Sequence, residues 1–383
     1  MDFELTEEQR MVIDEARKFA EKALAPAVAE LDERQECNLA AIRELGGLGY
    51  LGMTVPEEFG GTGLGAVAYA GAMIELSKVD AGTAVAVSVQ NSLVNDAVMK
   101  FGTEAQKREF LPKLTSGEWL GCFSLTEAGA GSDPGSLRAS AVRDGDSFVL
   151  NGTKNFTTNG GFAEVITAFF QTDPGKGSKG ISAFLLRSDA PGSAVGKHEN
   201  KLGIRTSSTT EMVFTDCRVP ATCLLGTENK GLNVALATLD GGRIGIAAQA
   251  VGIAEAALDE AVKYAKERTQ FGKKLADFQA LQFSLADMAV DVEVAKTMLY
   301  RVAGMKDAGR KYTKESAIAK LFASEMSHRV CHKSLQIHGG YGYMKDYKVE
   351  RLYRDQRITE IYEGTSEIQR VVIARALLAE WGG

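Results

Sequence analysis

RDGDSFVLNGTKNFTTNG, residues 143–160, interrupts a chain that otherwise reads as helix. Asp144-Gly145 and Asn151-Gly152 are Asp/Asn-Gly pairs of the kind that tolerate positive φ and build tight type I′ turns between strands. Short runs of β-branched and aromatic residues surround them at 137–143, 148–150 and 165–172, and again at 181–186 and 211–215. Together they predict a small antiparallel β unit in the middle of the chain.

On the N-terminal side of that segment the grammar is helical. Thr6 and Gln9 have capping-box spacing, and Val12, Ala16, Phe19 and Ala23 recur at helical intervals until Pro26 stops the pattern. Residues 39–48 and 67–79 repeat it. Between those two lies EFGGTGLG, 58–65, which lacks both GxGxxG spacing and a preceding strand. It therefore predicts a helix-connecting loop, not a dinucleotide turn. Beyond Pro220 helical patterning resumes near 244–268, 278–305, 314–338 and 366–381, apolar on more than one side, as in a bundle that also packs on other subunits. The predicted order is helical, β, helical.

Bulk properties narrow the function classes. A chain of 383 residues with 45% hydrophobic content supports two or three domains with substantial cores. A net charge of -6 argues against a broad nucleic-acid surface, while leaving room for a local basic pocket that takes one phosphorylated ligand. Cys37, Cys122, Cys217, Cys223 and Cys331 are scattered, with no CxxC or zinc spacing, so no metal site is expected and the thiols read as reduced. The opening MDFELTEEQ has neither secretory nor transit character, and no apolar run reaches the roughly 20 residues that span a bilayer. A soluble, cytoplasmic protein is expected, bound to no membrane.

Six segments then coincide: FSLTEAGAGSD (123–133), NGTKNFTTNG (151–160), LDGGRIGIAAQ (239–249), ERTQFGKKLADFQ (267–279), QIHGGYGY (336–343) and IYEGTSEIQ (361–369). In this order and at these intervals the chain resembles the acyl-CoA dehydrogenase family over essentially its whole length. The resemblance implies an α+β fold: an N-terminal helical domain at 1–119, a central antiparallel β-barrel at 120–225 and a C-terminal four-helix bundle at 226–383. It also implies an FAD-dependent oxidoreductase of lipid β-oxidation, assembled as a homotetramer, that converts an acyl-CoA to the trans-2-enoyl-CoA.

The motifs make chemical sense on those terms. Small residues in FSLTEAGAGSD let backbone amides and the hydroxyls of Thr126 and Ser132 approach an electron-rich ring, although the segment alone would pass for an ordinary turn. The resemblance implies that Phe123, Leu125, Thr126, Gly131 and Ser132 contact the flavin and that Phe156 and Thr158 line it. Many relatives carry Trp at the position of Phe156. Arg268 offers the fixed fork that a pyrophosphate needs. The resemblance gives it that role, with Gln270, Phe271, Leu275, Phe278 and Gln279 nearby, and brings Gln336, Gly339 and Gly340 from a neighbouring subunit. Thr365 and Glu367 complete the implied cofactor set. His338 reads as a packing residue. Asp240 and Arg243 resemble contacts to the CoA portion of the substrate, joined by Ser132, Tyr362 and Gly364. The competing reading of Asp240 and Arg243 is a surface salt bridge.

Glu363 is the expected catalytic residue. Desaturating a thioester requires a base for the weakly acidic α proton, and burial in a dry pocket strengthens a carboxylate for that task. The enolate-like oxygen needs preorganised donors; in the family these are the backbone N–H of the catalytic Glu and a flavin ribityl hydroxyl. Some relatives place the base on the LDGGR helix, but Gly242 stands there. Glutaryl-type relatives carry an Arg where this chain has Ala84, which disfavours a dicarboxylic substrate. The overall likeness is to butyryl-CoA dehydrogenases, which implies a short acyl group, while Gly241 and Gly242 leave room for a branched or cyclic one. No nicotinamide fingerprint or iron–sulfur cysteine spacing is present, so the acceptor is external, in the family an electron-transferring flavoprotein. An acyl-CoA oxidase and a non-catalytic flavin-binding scaffold are the alternatives. Oxidases usually run longer, and a scaffold would have lost the base.

Overall fold

The computed structural model describes residues 4–381. Seven helices come first: α1 Glu7–Phe19, α2 Val28–Arg34, α3 Leu39–Gly47, α4 Gly65–Val79, α5 Ala81–Ser88, α6 Asp96–Phe101 and α7 Glu104–Ser116. The expected capping box opens α1, Gln9 N donating to Thr6 Oγ1 at 3.2 Å and Thr6 N to Gln9 Oε1 at 3.0 Å. A second box, Thr103 with Gln106, opens α7 and was not anticipated. Neither were α5 and α6, which a π-helical stretch, Val89–Asn95, joins into one rod. That rod is buried on every side through Val98, so its sequence lacks the one-sided periodicity that signals a helix.

The middle of the chain forms β1 Gly121–Ser124, β2 Ser140–Asp144, β3 Ser147–Thr158, β4 Val165–Gln171, β5 Ile181–Arg187, β6 Ser193–His198, β7 Thr209–Pro220 and β8 Leu224–Leu225. Two expectations need correcting. The sheet is mixed, because β1 and the first residue of β2 run parallel to β4, and its order β6-β7-β3-β2-β4-β5-β8 runs open instead of closing into an antiparallel barrel. A parallel neighbour requires a long return connection, and the stretch between β1 and β4, which carries the β2–β3 hairpin, supplies one. Asp144-Gly145 does begin the β2–β3 hairpin, with Gly145 at φ 61°. Asn151-Gly152 turns nothing. It lies inside β3, where the register against β7 slips between Leu150 and Gly152. Gly152 has φ 138°, and a β-carbon there would lie 2.5 Å from Ala139 Cβ, so the pair marks a bulge.

Phe148, Phe170, Phe184 and Phe214 fill the core of this sheet edge-to-face, with centroids 5.1 to 5.9 Å apart. Each such pair adds about 0.5–1.5 kcal/mol to simple burial. The β6–β7 connection locks the sheet to the helices. Asp355 accepts from Ile204 N at 2.5 Å, Arg205 Nε donates to the Asp32 carbonyl at 2.9 Å, and Thr206 donates to Asp80.

The C-terminal part comprises α8 Gly231–Glu267, a small hairpin of β9 Thr269–Gln270 and β10 Lys273–Lys274, then α9 Gln279–Asp307, α10 Thr313–His338, α11 Lys348–Gln356 and α12 Ser366–Trp381. Helix α10 packs on α8, α9, α11 and α12, while α4 of the N-terminal part packs on α8. The middle of α8, from Gly241 to Ala257, is almost wholly buried. Among the described residues no helix is long and apolar enough to cross a membrane, and no cluster of His, Cys, Asp or Glu could hold a metal ion.

Candidate active site

Between the sheet and the helices lies a cleft of about 580 Å³. Its walls bring together Phe123, Leu125, Thr126, Gly131 and Ser132 from β1 and the loop after it, Phe156 and Thr158 from β3, Val89 and Leu93 from the π-helical stretch, Leu239 and Arg243 from α8, and Tyr362, Glu363 and Gly364. Most of the residues expected at the isoalloxazine, and the expected base, therefore meet in one place.

Glu363 sits in the left-handed region at φ 54°, followed by Gly364 at φ 86°. Such a conformation costs a non-glycine residue about 1–3 kcal/mol unless its surroundings impose it. Here Gln369 Nε2, from the first turn of α12, donates to both turn carbonyls, at 3.0 Å to Glu363 O and 2.8 Å to Gly364 O. Lys320 Nζ donates to Gly364 O at 2.8 Å. Glu363 Oε2 is buried without a hydrogen-bond partner. Burial raises the carboxyl to about 7, against the opposing pull of Lys320 and Arg243. A β-carbon at residue 242 would stand 2.4 Å from Oε2, so this carboxylate needs glycine on α8 beneath it. Tyr362 is fixed by donating its hydroxyl to Gln249 Oε1, and Gln249 in turn donates to Ala81 O at 2.7 Å.

The loop after β1 is clamped from below. Lys154, 0% exposed, reaches Glu127 Oε1 at 2.7 Å and the Leu125 carbonyl at 3.3 Å. Glu127 also accepts from the backbone N–H groups of Arg138 and Ala139 at 2.7 and 2.9 Å, and these bonds with Lys154 hold its carboxyl below the usual range despite burial. Phe156, at φ 56° on a β3 irregularity, is 63% exposed at the cleft mouth. On α8 the salt-bridge reading of Asp240 and Arg243 applies between themselves, at 2.6 Å, with Thr313 Oγ1 donating to the other Asp240 oxygen at 2.7 Å. Arg243 Nε is buried without a partner, and Asp240 does not line the cleft.

The remaining cofactor residues lie elsewhere. Arg268, Gln270 and Leu275 share a separate depression of about 450 Å³ with Gly339 and Gly340 of the same chain, and no residue lines both sites. Within one chain the QIHGGYGY loop lies beside Arg268. Arg268 stacks 5.5 Å from Tyr341 and pairs with no carboxylate among the described residues. Phe271, 93% exposed at φ 51°, stands edge-on to Phe278, and Gln279 and Gln336 are exposed nearby. His338 is buried against Tyr264 with Nδ1 2.8 Å from Ser334 O, the packing role expected of it. Thr365 Oγ1 accepts from Ile368 N at 3.3 Å as a cap of α12, Glu367 is exposed, and neither lines the cleft. Sequence reasoning gave no role to Glu127, Lys154, Lys320 or Gln369. Glu127, Lys154 and Gln369 stand inside quoted motifs, which was the available signal.

Comparison with known proteins agrees with this geometry. Family models for the acyl-CoA dehydrogenase N-terminal, middle and C-terminal domains match residues 6–118, 122–217 and 229–378. The mitochondrial short-chain specific acyl-CoA dehydrogenase of Mus musculus is 49% identical, covering 99% of this chain and 92% of the relative. The structure of butyryl-CoA dehydrogenase from Megasphaera elsdenii superposes with a TM-score of 0.97 at 47% identity, covering 99% of this chain and all of that one. A chain in a structure titled for the electron transferring flavoprotein of Acidaminococcus fermentans superposes at 0.98 with 48% identity and the same coverage. Three domain models following one another along a chain that carries the cleft, the buried carboxylate and the glycine beneath it leave one conclusion: the chain belongs to the acyl-CoA dehydrogenase family.

Proposed function

We propose that the chain catalyses FAD-dependent α,β-dehydrogenation of a short acyl-CoA to the trans-2-enoyl-CoA, with Glu363 as base and an electron-transferring flavoprotein as acceptor. The observation that carries this is the unpartnered Glu363 oxygen, buried in a cleft whose opposite wall is lined by Thr126, Ser132 and Thr158. The residues fit FAD. That wall supplies hydroxyl donors and acceptors for a flavin ring, and Arg268 offers a guanidinium that pairs with no carboxylate among the described residues, beside glycines whose Cβ positions are open. Bound FAD supplies the acceptor for the β hydrogen and its electron pair.

The chain's own residues do the rest. Leu93, Val89 and Leu239 keep the reacting carbons dry, which strengthens every charge interaction inside. Glu363 takes the α proton on its free oxygen, and its backbone N–H serves the developing oxyanion. Arg243 steers the CoA end, with Asp240 holding its guanidinium in place. Leu93 Cδ2, 3.0 Å from where a residue-242 β-carbon would sit, crowds the base side of the cleft and favours a short acyl group. The units run 1–119, 120–225 and 226–383. The five cysteines are free, in keeping with work in a reducing cytosol.

The test is anaerobic. Butyryl-CoA should bleach the flavin of the purified protein, and steady-state reoxidation should be fast with an electron-transferring flavoprotein, slow with oxygen and undetectable with NAD. No bleaching would overturn the reading, and oxygen as effective as the flavoprotein would make the chain an oxidase.

Two half-sites on one chain also imply that FAD bridges two copies. Exposed Phe283, Val290 and Val294 on α9, and Leu377, Leu378 and Trp381 on α12, suit burial in a homotetramer. Sedimentation of the holo-protein should give four chains and four flavins. A monomer with full flavin content would contradict this arrangement.

A further inference from the structure

We propose that Lys320 is a positioning residue for the base, its buried amine holding the left-handed turn at Glu363 and Gly364 and keeping a positive charge beside the carboxylate. This rests on the reading of Glu363 as the base.

Lys320 lies on α10 among alanines, its side chain 0% exposed. Lysine is almost never fully buried unless paired, and a buried ammonium costs several kcal/mol unless compensated. Yet among the described residues Lys320 makes no ion pair, and its hydrogen bond goes to the Gly364 carbonyl at 2.8 Å. A methionine would fill such a space without that cost, so the charge has a use at the turn. Gln369 holds that carbonyl and the Glu363 carbonyl from α12, and together the two side chains support the φ of 54° at Glu363.

The charges around the pair single out Lys320. Glu363 is faced by Arg243 from α8, Lys320 from α10, and the phenols of Tyr69 from α4 and of its neighbour Tyr362. Lys320 is faced by Glu363, Arg243, Glu360 before the turn and Glu367 on α12. Arg243 is already neutralised by Asp240 at 2.6 Å, whereas Lys320 carries no such partner. Burial pulls Lys320 down to about 7 even as Glu363 works to keep it protonated.

The experiment follows the pH dependence of anaerobic flavin reduction by butyryl-CoA in the holo-protein, with flavin content and thermal midpoint recorded. Lys320→Met should keep its flavin, move the acid limb upward by about one pH unit, and lose about fivefold in rate at pH 7, approaching tenfold below it. KM should change little. Lys320→Arg, which keeps the charge, should hold the limb near its original place, and if the Met variant does not fold, Lys320→Gln replaces it in the comparison. Difference infrared titration of the Glu363 carboxyl, identified by its loss in Glu363→Gln, should show the same shift without turnover. A variant with an unmoved limb overturns the proposal, and so does one that only loses stability and flavin. An acid limb that persists in Glu363→Gln would instead overturn the reading of the base, so the two failures are distinct.

Discussion

Glu363→Gln is expected to retain FAD and bind acyl-CoA while losing about 10²–10⁴-fold in the rate of flavin reduction, the usual weight of a positioned general base. The amide has the shape of the carboxyl, so it fits over Gly242 and leaves the turn held by Gln369 undisturbed. It cannot accept a proton. The wild-type rate should climb as pH rises through about 7, where the buried carboxyl ionises, and reach a plateau above it. The sign follows from the chemistry, because only the ionised form is a base and burial has moved that form to higher pH. Residual activity in the glutamine variant should lose this step. Stopped-flow bleaching across pH is the measurement, and a variant reduced at the wild-type rate would end the assignment.

Lys154→Met should cost about 3–5 kcal/mol of stability, because it leaves the half-buried Glu127 carboxylate without its counter-charge. Lys154 is fully buried, 2.7 Å from Glu127 and 5.2 Å from the Phe170 ring centroid, so its ammonium is reached by no water. Without the ammonium, Glu127 must protonate or leave. Either outcome weakens its bonds to Arg138 and Ala139 and frees the loop that carries Thr126 and Ser132. Flavin should therefore be lost at temperatures where the sheet is still folded. Denaturant titration and flavin fluorescence would follow the two losses separately. Adding Glu127→Leu should recover the charge penalty but not the backbone bonds. A Lys154→Met protein as stable as the parent would show that the pair contributes nothing net.

Legibility in the sequence followed local boundary signals and regular spacing. Helices α1, α3 and α4 could be predicted because each has a boundary signal or apolar residues at regular spacing, and the Thr6–Gln9 box formed as read. The rod from α5 to α6 could not, since burial on all sides erases the period. Asn151-Gly152 misled because a dipeptide signal is local, and pairing of β3 along the length of β7 overrode it. Glu363 was legible as a candidate base through its motif. Its supports were not, because Lys320 in AIAKLFASEM reads as a wet lysine until α12 packs across α10. Thr365 and Glu367, placed in the cofactor set by their motif, lie at the start of α12, where Thr365 Oγ1 caps the helix, and do not line the cleft.

Helix α8 has one more consequence. Arg243, a third of the way along it, and Arg268, its C-cap, are 25 residues apart, a rise of about 37 Å that separates the Arg243 side of the cleft from the Arg268 depression on a single chain. If FAD bridges two copies, each catalytic centre takes its cleft, with Glu363, from one copy and its Arg268 depression from another. A cell carrying two alleles, one damaged at Glu363 and one at Arg268, would then assemble some intact centres in mixed oligomers. The same geometry means that a single defective allele of either kind spoils centres it does not itself encode. Heterozygous phenotypes in such an enzyme are set by how subunits mix as well as by how much sound protein is made.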